Sequence, residues 1–176
     1  MFAAFAAALT ALQFAPAPDL DEARRLMDAA VGAGTIPGAV LVVGRGGDVV
    51  HQSAHGERAP GVPMTLDTVF DLASLTKSVA TSSSVMVLVQ DGRLRLSDRV
   101  SAILPRFTGG EKEAVTVEQL LLHTGGLAAA NHLDDYRDGP AEAIARICAR
   151  DLVAAPGEKF IYSDLGYILL GEIVRA

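Results

Sequence analysis

Only two stretches of this 176-residue chain read as strands. Pro37–Val43 is a mostly apolar run with β-branched residues, and Asp48–Ser53 alternates weakly after Gly46-Gly47. Together they predict a β-hairpin closed by a glycine turn. Two strands do not make a stable sheet without further partners. The helical patterns are more plentiful. Asp19–Gly34 carries Leu20, Ala23, Leu26, Met27, Ala30 and Val31 on one face, with Gly32 and Gly34 to stop it. Gly56–Met64 is a Pro/Gly loop, and a helix is expected from Leu75 to about Gln90, closed by Asp91-Gly92. Leu96–Leu104 reads as loop and a short helical turn ended by Pro105. Thr116 is placed to N-cap Val117–His123 ahead of Gly125-Gly126. Gly139-Pro140 precedes a helix over Ala141–Arg150, and Asp164 is placed to cap a last helix with Leu165, Ile168, Leu169 and Ile173 on one face. Half of the residues are hydrophobic and the mean hydropathy is +0.31, high for a self-sufficient soluble domain. With few strands, uncovered apolar faces and a helical pattern running to Arg175-Ala176, the chain reads as the front part of a longer protein.

The helix from Leu75 brings chemistry with it. Ser74 and Lys77 stand three residues apart, and positions i and i+3 share a helix face. A hydroxyl in the first turn then lies beside an amine, at the positive end of the helix dipole, as an activated serine nucleophile requires. Lysine is scarce here, with three copies (Lys77, Lys112, Lys159) against twelve arginines. A lysine can shed its proton when desolvated and act as a base, whereas arginine effectively cannot. The spacing alone is also met by a serine N-cap followed by a solvated lysine.

Other function classes are disfavoured. The net charge of −6 comes from dispersed acids, which argues against a nucleic-acid surface. Cys148 is the lone cysteine, so no internal disulfide forms, and it reads as a buried structural thiol in the Ala141–Arg150 helix. His51, His55 and His132 make no evident ligand set with each other or with nearby carboxylates, so no metal is expected. Asp134-Asp135 reads as solvated loop.

Five segments, in order, resemble the serine β-lactamase and penicillin-binding-protein superfamily, especially its class C-like branch with related esterases and D-Ala-D-Ala carboxypeptidases. They are Ile36-Pro-Gly-Ala-Val40 with its hairpin, Thr68-Val-Phe-Asp-Leu-Ala-Ser-Leu-Thr-Lys77, Asp91-Gly-Arg-Leu-Arg-Leu-Ser-Asp98, Thr116–Leu127, and Pro156–Gly166. The resemblance implies an α/β (α+β) fold of β-lactamase/transpeptidase type, an antiparallel sheet flanked by helices plus a helical subdomain, incomplete in this chain. It implies catalysis by Ser74, Lys77 and Tyr162 through a covalent acyl-enzyme, with no cofactor or metal. The substrate would be a small molecule or peptidoglycan-derived: an ester, a D-Ala peptide or a β-lactam. Tyr162-Ser163-Asp164 stands where the family has Tyr-x-Asn, so the substrate-binding position is a carboxylate, which accepts but does not donate. Asp164 either caps the last helix or pairs with Lys77. His123 is expected to be a structural turn. The family's third element, a Lys-Thr-Gly or His-x-Gly strand, does not follow Tyr162. A non-catalytic relative that holds peptidoglycan-type ligands, or one completed by a second chain, is therefore the alternative.

Met1–Ala17 has no charged side chain and ends in Ala15-Pro-Ala17, which predicts a secretory signal and a periplasmic or secreted protein. A mis-assigned start within a longer leader is the alternative. The run is too short and Ala-rich for a stable membrane span, residues 18–176 would form the hydrolase portion, and the oligomeric state is open.

Overall fold

A computed structural model describes residues 20–176, so the leader lies outside the described residues. The chain divides into two compact units, one up to Asp71 and one over Leu72–Ala176.

In the first unit, helix α1 (Asp21–Gly32) precedes strands β1 (Gly38–Arg45), β2 (Asp48–Ala59) and β3 (Val62–Pro63), paired antiparallel in the order β1-β2-β3. Asp21 and Glu22 in the first turn of α1 offset the exposed N–H groups there, because no side chain caps the helix. The expected hairpin is present, with a bulge between Val43 and Gly44. The expected loop over Gly56–Met64 is instead mostly strand. β2 runs on to Ala59 and turns through Pro60-Gly61 into β3. Proline sets φ at one turn position and Gly61 takes φ +73° at the next, so the Pro/Gly signal marks a tight turn rather than a long loop.

Gly56 is what lets β2 continue past the end of β1. It faces Gly38 across the ladder at φ +69°, and a Cβ there would lie 2.4 Å from the Pro37 carbonyl oxygen. Gly56→Ala is expected to destabilise the protein by more than about 1 kcal/mol. The change would be read as a lower urea midpoint at unchanged slope; an unshifted midpoint would show that the crossing is not tight. Farther along this strand, His55 meets the carboxylate of Asp28 on α1, 27 residues away in sequence.

The second unit is helical. Leu75 and Thr76 lead into a π-helical turn, Lys77–Ser82, and then into α2 (Ser83–Gln90). The Ser83 hydroxyl donates to the Ser78 carbonyl five residues back, matching the widened turn. Short helix α3 (Val100–Ile103) is followed by α4 (Val117–Leu121), α5 (Pro140–Ala149) and α6 (Asp164–Arg175). Thr116 caps α4 as expected, accepting from Gln119 N–H while the Gln119 side chain accepts from Thr116 N–H. The core gathers Val85, Phe107, Val117, Leu120, Ile147 and Leu169, all fully buried. Cys148 is buried as expected, and burial pushes its thiol pKa up, as suits a packing residue. Lys112 is also buried, its ammonium donating to the carbonyls of Cys148 and Arg150 at the end of α5. Leu75, Val79, Met86 and Val87 are exposed, so the segment after Ser74 has the uncovered apolar side that its sequence implied. Among the described residues, no helix is long and apolar enough to cross a membrane.

Candidate active site

The start of the π-helical turn and the start of α6 bring Ser74, Lys77, Tyr162 and Asp164 together. Ala73, just before the serine, adopts φ +43°, a conformation that an alanine takes only at some cost, and the chain enters the helix immediately after it. Lys77 Nζ donates to Ser74 Oγ at 3.3 Å, the proximity expected from the three-residue spacing. It also donates to Asp164 Oδ1 at 2.5 Å, across 87 residues of sequence. The Tyr162 phenol stands beside Ser74 and Lys77, close enough for both to lower its pKa, and Lys77 Nζ lies 4.8 Å from the Tyr162 ring centroid.

The two roles left open for Asp164 are thereby separated. Ser163, not Asp164, caps α6: its hydroxyl accepts from Gly166 N–H at 3.1 Å and donates to the Ala128 carbonyl at 2.7 Å. Asp164 is thus released from capping and holds the lysine. A serine at the cap leaves the next side chain free to point back across the helix end.

These contacts set the charges. Burial works against the Lys77 ammonium, but hydrogen bonds to Asp164 and Tyr162 outweigh it, so the lysine pKa is raised and the group stays cationic. The Tyr162 phenol is pushed below its ordinary value, first by the hydrogen bond to Ser74 and then by Lys77. The lysine thus stands as a positive charge beside a phenol whose ionised form it favours.

His123 contributes more than the turn expected of it. It stands two residues past α4 at φ +58°, its carbonyl accepts from Ile161 N–H at 2.8 Å, and its Nδ1 accepts from Ser163 N–H at 2.9 Å. Both neighbours of Tyr162 are thus held by one residue, whose ring also lies 4.5 Å from the Tyr162 ring. Burial, and then Lys77, lower the His123 pKa, which keeps Nδ1 available as an acceptor. The sequence signal was present in a histidine directly before Thr-Gly-Gly, but its partners lie some 40 residues on and no local pattern announces them. Tyr167 donates to the Leu121 carbonyl and lies within hydrogen-bond reach of Ser82.

A cleft of about 390 Å³ opens beside the cluster, with Thr76, Lys77, Asn131, Tyr136, Asp164 and Tyr167 among its walls. The Asn131 side-chain amide is buried there with neither its nitrogen nor its oxygen hydrogen-bonded within the protein. Among the described residues, no group of three or more His, Cys, Asp or Glu side chains is arranged to hold a metal ion.

A half-buried lysine, a serine and a tyrosine gathered at two helix starts of an α+β framework define a class of serine-centred folds. Residues 23–176 match the Beta-lactamase family, and the chain belongs to it. It is 40% identical over 149 residues to Penicillin-binding protein 4 of Amycolatopsis lactamdurans, a match covering 80% of this chain and 38% of that protein. The octameric penicillin-binding protein homologue from Pyrococcus abyssi is similar in structure, with a TM-score of 0.78 at 31% identity over 90% of this chain and 39% of the other. A class C beta-lactamase gives a TM-score of 0.77 at 25% identity, over 88% and 43% respectively. The fold is therefore the β-lactamase/transpeptidase fold, and this chain spans about two-fifths of the length of these relatives.

Proposed function

We propose that the protein is a serine hydrolase in which Ser74 takes an acyl group from an ester, a D-Ala peptide or a β-lactam. The observation that carries this reading is the hydrogen bond from Lys77 to Ser74 with the Tyr162 phenol beside it. Tyr162, as phenolate, removes the Ser74 proton while Oγ attacks the carbonyl carbon. Lys77 remains protonated and steadies the phenolate. The Ser74 backbone N–H serves as one donor to the oxyanion. Collapse expels the leaving group, which takes the proton from Tyr162, and water then releases the acid by the same path. Labelling with a fluorophosphonate or a tagged penicillin, mapped by peptide mass, tests this: an adduct on Ser74 supports it, and capture that never involves Ser74 refutes it.

Asp164 bears on the substrate class. Its carboxylate is committed to Lys77 and has no N–H to offer a substrate carbonyl, which favours esters and peptides over β-lactams. Asp164→Asn is expected to raise β-lactam hydrolysis relative to ester hydrolysis. It should also shift both limbs of the pH–rate profile downward, because Asp164 raises the pKa of Lys77 and, more weakly, that of Tyr162. Parallel kinetics on an aryl ester and a chromogenic cephalosporin measure both effects; an unchanged ratio would remove Asp164 from substrate choice.

The second reading is a non-catalytic relative that holds peptidoglycan-type ligands. Binding of a D-Ala-D-Ala peptide without acylation is its signature. A periplasmic or secreted location, which the leader composition supports, is part of this proposal.

A further inference from the structure

The first unit holds a second set of hydroxyl, imidazole and carboxylate. Alternation along β2 puts His51, Ser53 and His55 on one face, and it is the face that Asp28 of α1 reaches. His55 Nδ1 lies 2.6 Å from Asp28 Oδ1, His55 Nε2 lies 2.7 Å from Ser53 Oγ, and Ser53 Oγ lies 3.1 Å from His51 Nε2. The directions of these bonds are linked. An ionised carboxylate only accepts, so Nδ1 of His55 carries the hydrogen. With the ring neutral, Nε2 then presents its lone pair and Ser53 donates to it. The remaining lone pairs on Ser53 Oγ accept from His51 Nε2–H. His55 is 7% exposed, so the central ring is held in place, while Ser53 and His51 are only half-buried and the Asp28 carboxylate is open to solvent.

We propose that Ser53 is a second acylable serine, with His55 as its general base and Asp28 as the residue that orients His55. Its substrates are small activated esters, since Ser53 sits among close neighbours on a partly covered sheet face. As Ser53 Oγ bonds to the ester carbonyl carbon, its proton passes to His55 Nε2 and the carbonyl electron pair moves onto oxygen. That oxyanion forms within reach of His51 Nε2–H. Collapse breaks the bond to the leaving alkoxide or phenoxide, which takes the proton from His55 Nε2. The products are acyl-Ser53 and an alcohol. With one side-chain donor beside the oxyanion, the step is slow compared with a two-donor site, each donor being worth roughly 10²–10³ in rate.

The site shares no residue with the Ser74 cluster, so the two are separable. The Ser74→Ala protein is treated with p-nitrophenyl acetate and, separately, with a fluorophosphonate, and the adducts are located by peptide mass. The expected result is a single adduct on Ser53, absent from Ser74→Ala/Ser53→Ala. In Ser74→Ala/Asp28→Asn it should form at least about 10-fold more slowly, because the imidazole loses its orienting partner. Asp28 is exposed, so this variant keeps its packing, which circular dichroism would verify. An unmodified Ser53, an adduct on His51 instead, or a rate indifferent to Asp28→Asn overturns the proposal. Failure at Ser74 in the wild-type protein is scored on a different peptide and leaves this result independent.

Discussion

Ser74→Ala is expected to lower ester turnover at the principal site by at least about 10⁴-fold, the scale on which removal of a catalytic nucleophile acts. The size of the effect follows from what surrounds the hydroxyl. Lys77 and Tyr162 are both aimed at Ser74 Oγ, and the strained Ala73 backbone presents that atom at a helix start. With the oxygen gone, the ammonium and phenol remain but have no nucleophile to serve. Steady-state hydrolysis of an aryl ester measures the loss, with circular dichroism to verify folding. Turnover within about tenfold of wild type would mean that the cluster is an ion-pair network and not an acyl-transfer site.

Tyr162→Phe carries the second largest expectation, a loss of about 10²–10⁴-fold in acylation rate. The variant keeps the ring that packs against His123 and deletes only the hydroxyl, so its fold should survive. The pH profile gives the sharper readout. The phenol titrates below its ordinary value because Ser74 and Lys77 favour its ionised form. Acylation that depends on phenolate rises with pH through that lowered pKa and falls again only where Lys77 loses its proton. In Tyr162→Phe this ascending limb should vanish. A limb that persists would assign the base to another group, and an arginine at position 77 would then be informative, since it keeps the charge and removes any capacity to give up a proton.

The principal cluster was readable where its logic is local. The spacing of Ser74 and Lys77 is a helical spacing, and the order of the five family-like segments located Tyr162 without any contact information. What lay outside reach was the choice between nearly equal local options. Ser163 and Asp164 are both good cap residues, and only the Ala128 carbonyl, supplied by a distant loop, decides that Ser163 takes the cap. His123 reads as a helix end because its second set of partners is 40 residues away. The extension of β2 was missed because Gly56 and Pro60-Gly61 are loop-like in composition, although a glycine can also let a strand cross another at close range. The Asp28–His55 pair is illegible in the sequence for a similar reason: its carboxylate stands on a different element.

The π-helical turn over Lys77–Ser82 acts as a phase shifter. On a regular α-helix, advancing eight residues from Lys77 to Val85 rotates the side-chain direction to about 80° away from where it began. The wider turn absorbs roughly one residue's rotation and brings the two nearly into line. Val85 is fully buried, so the lysine stem is drawn along the inward-facing side, and its side chain is only 16% exposed. A Ser-x-x-Lys pair on an unbroken helix would match this one letter for letter and still aim its amine a quarter-turn closer to solvent. The motif is therefore spelled in part by residues that no motif includes, and a one-residue deletion among positions 78–82 is expected to turn Lys77 outward without touching Ser74, Lys77 or Tyr162.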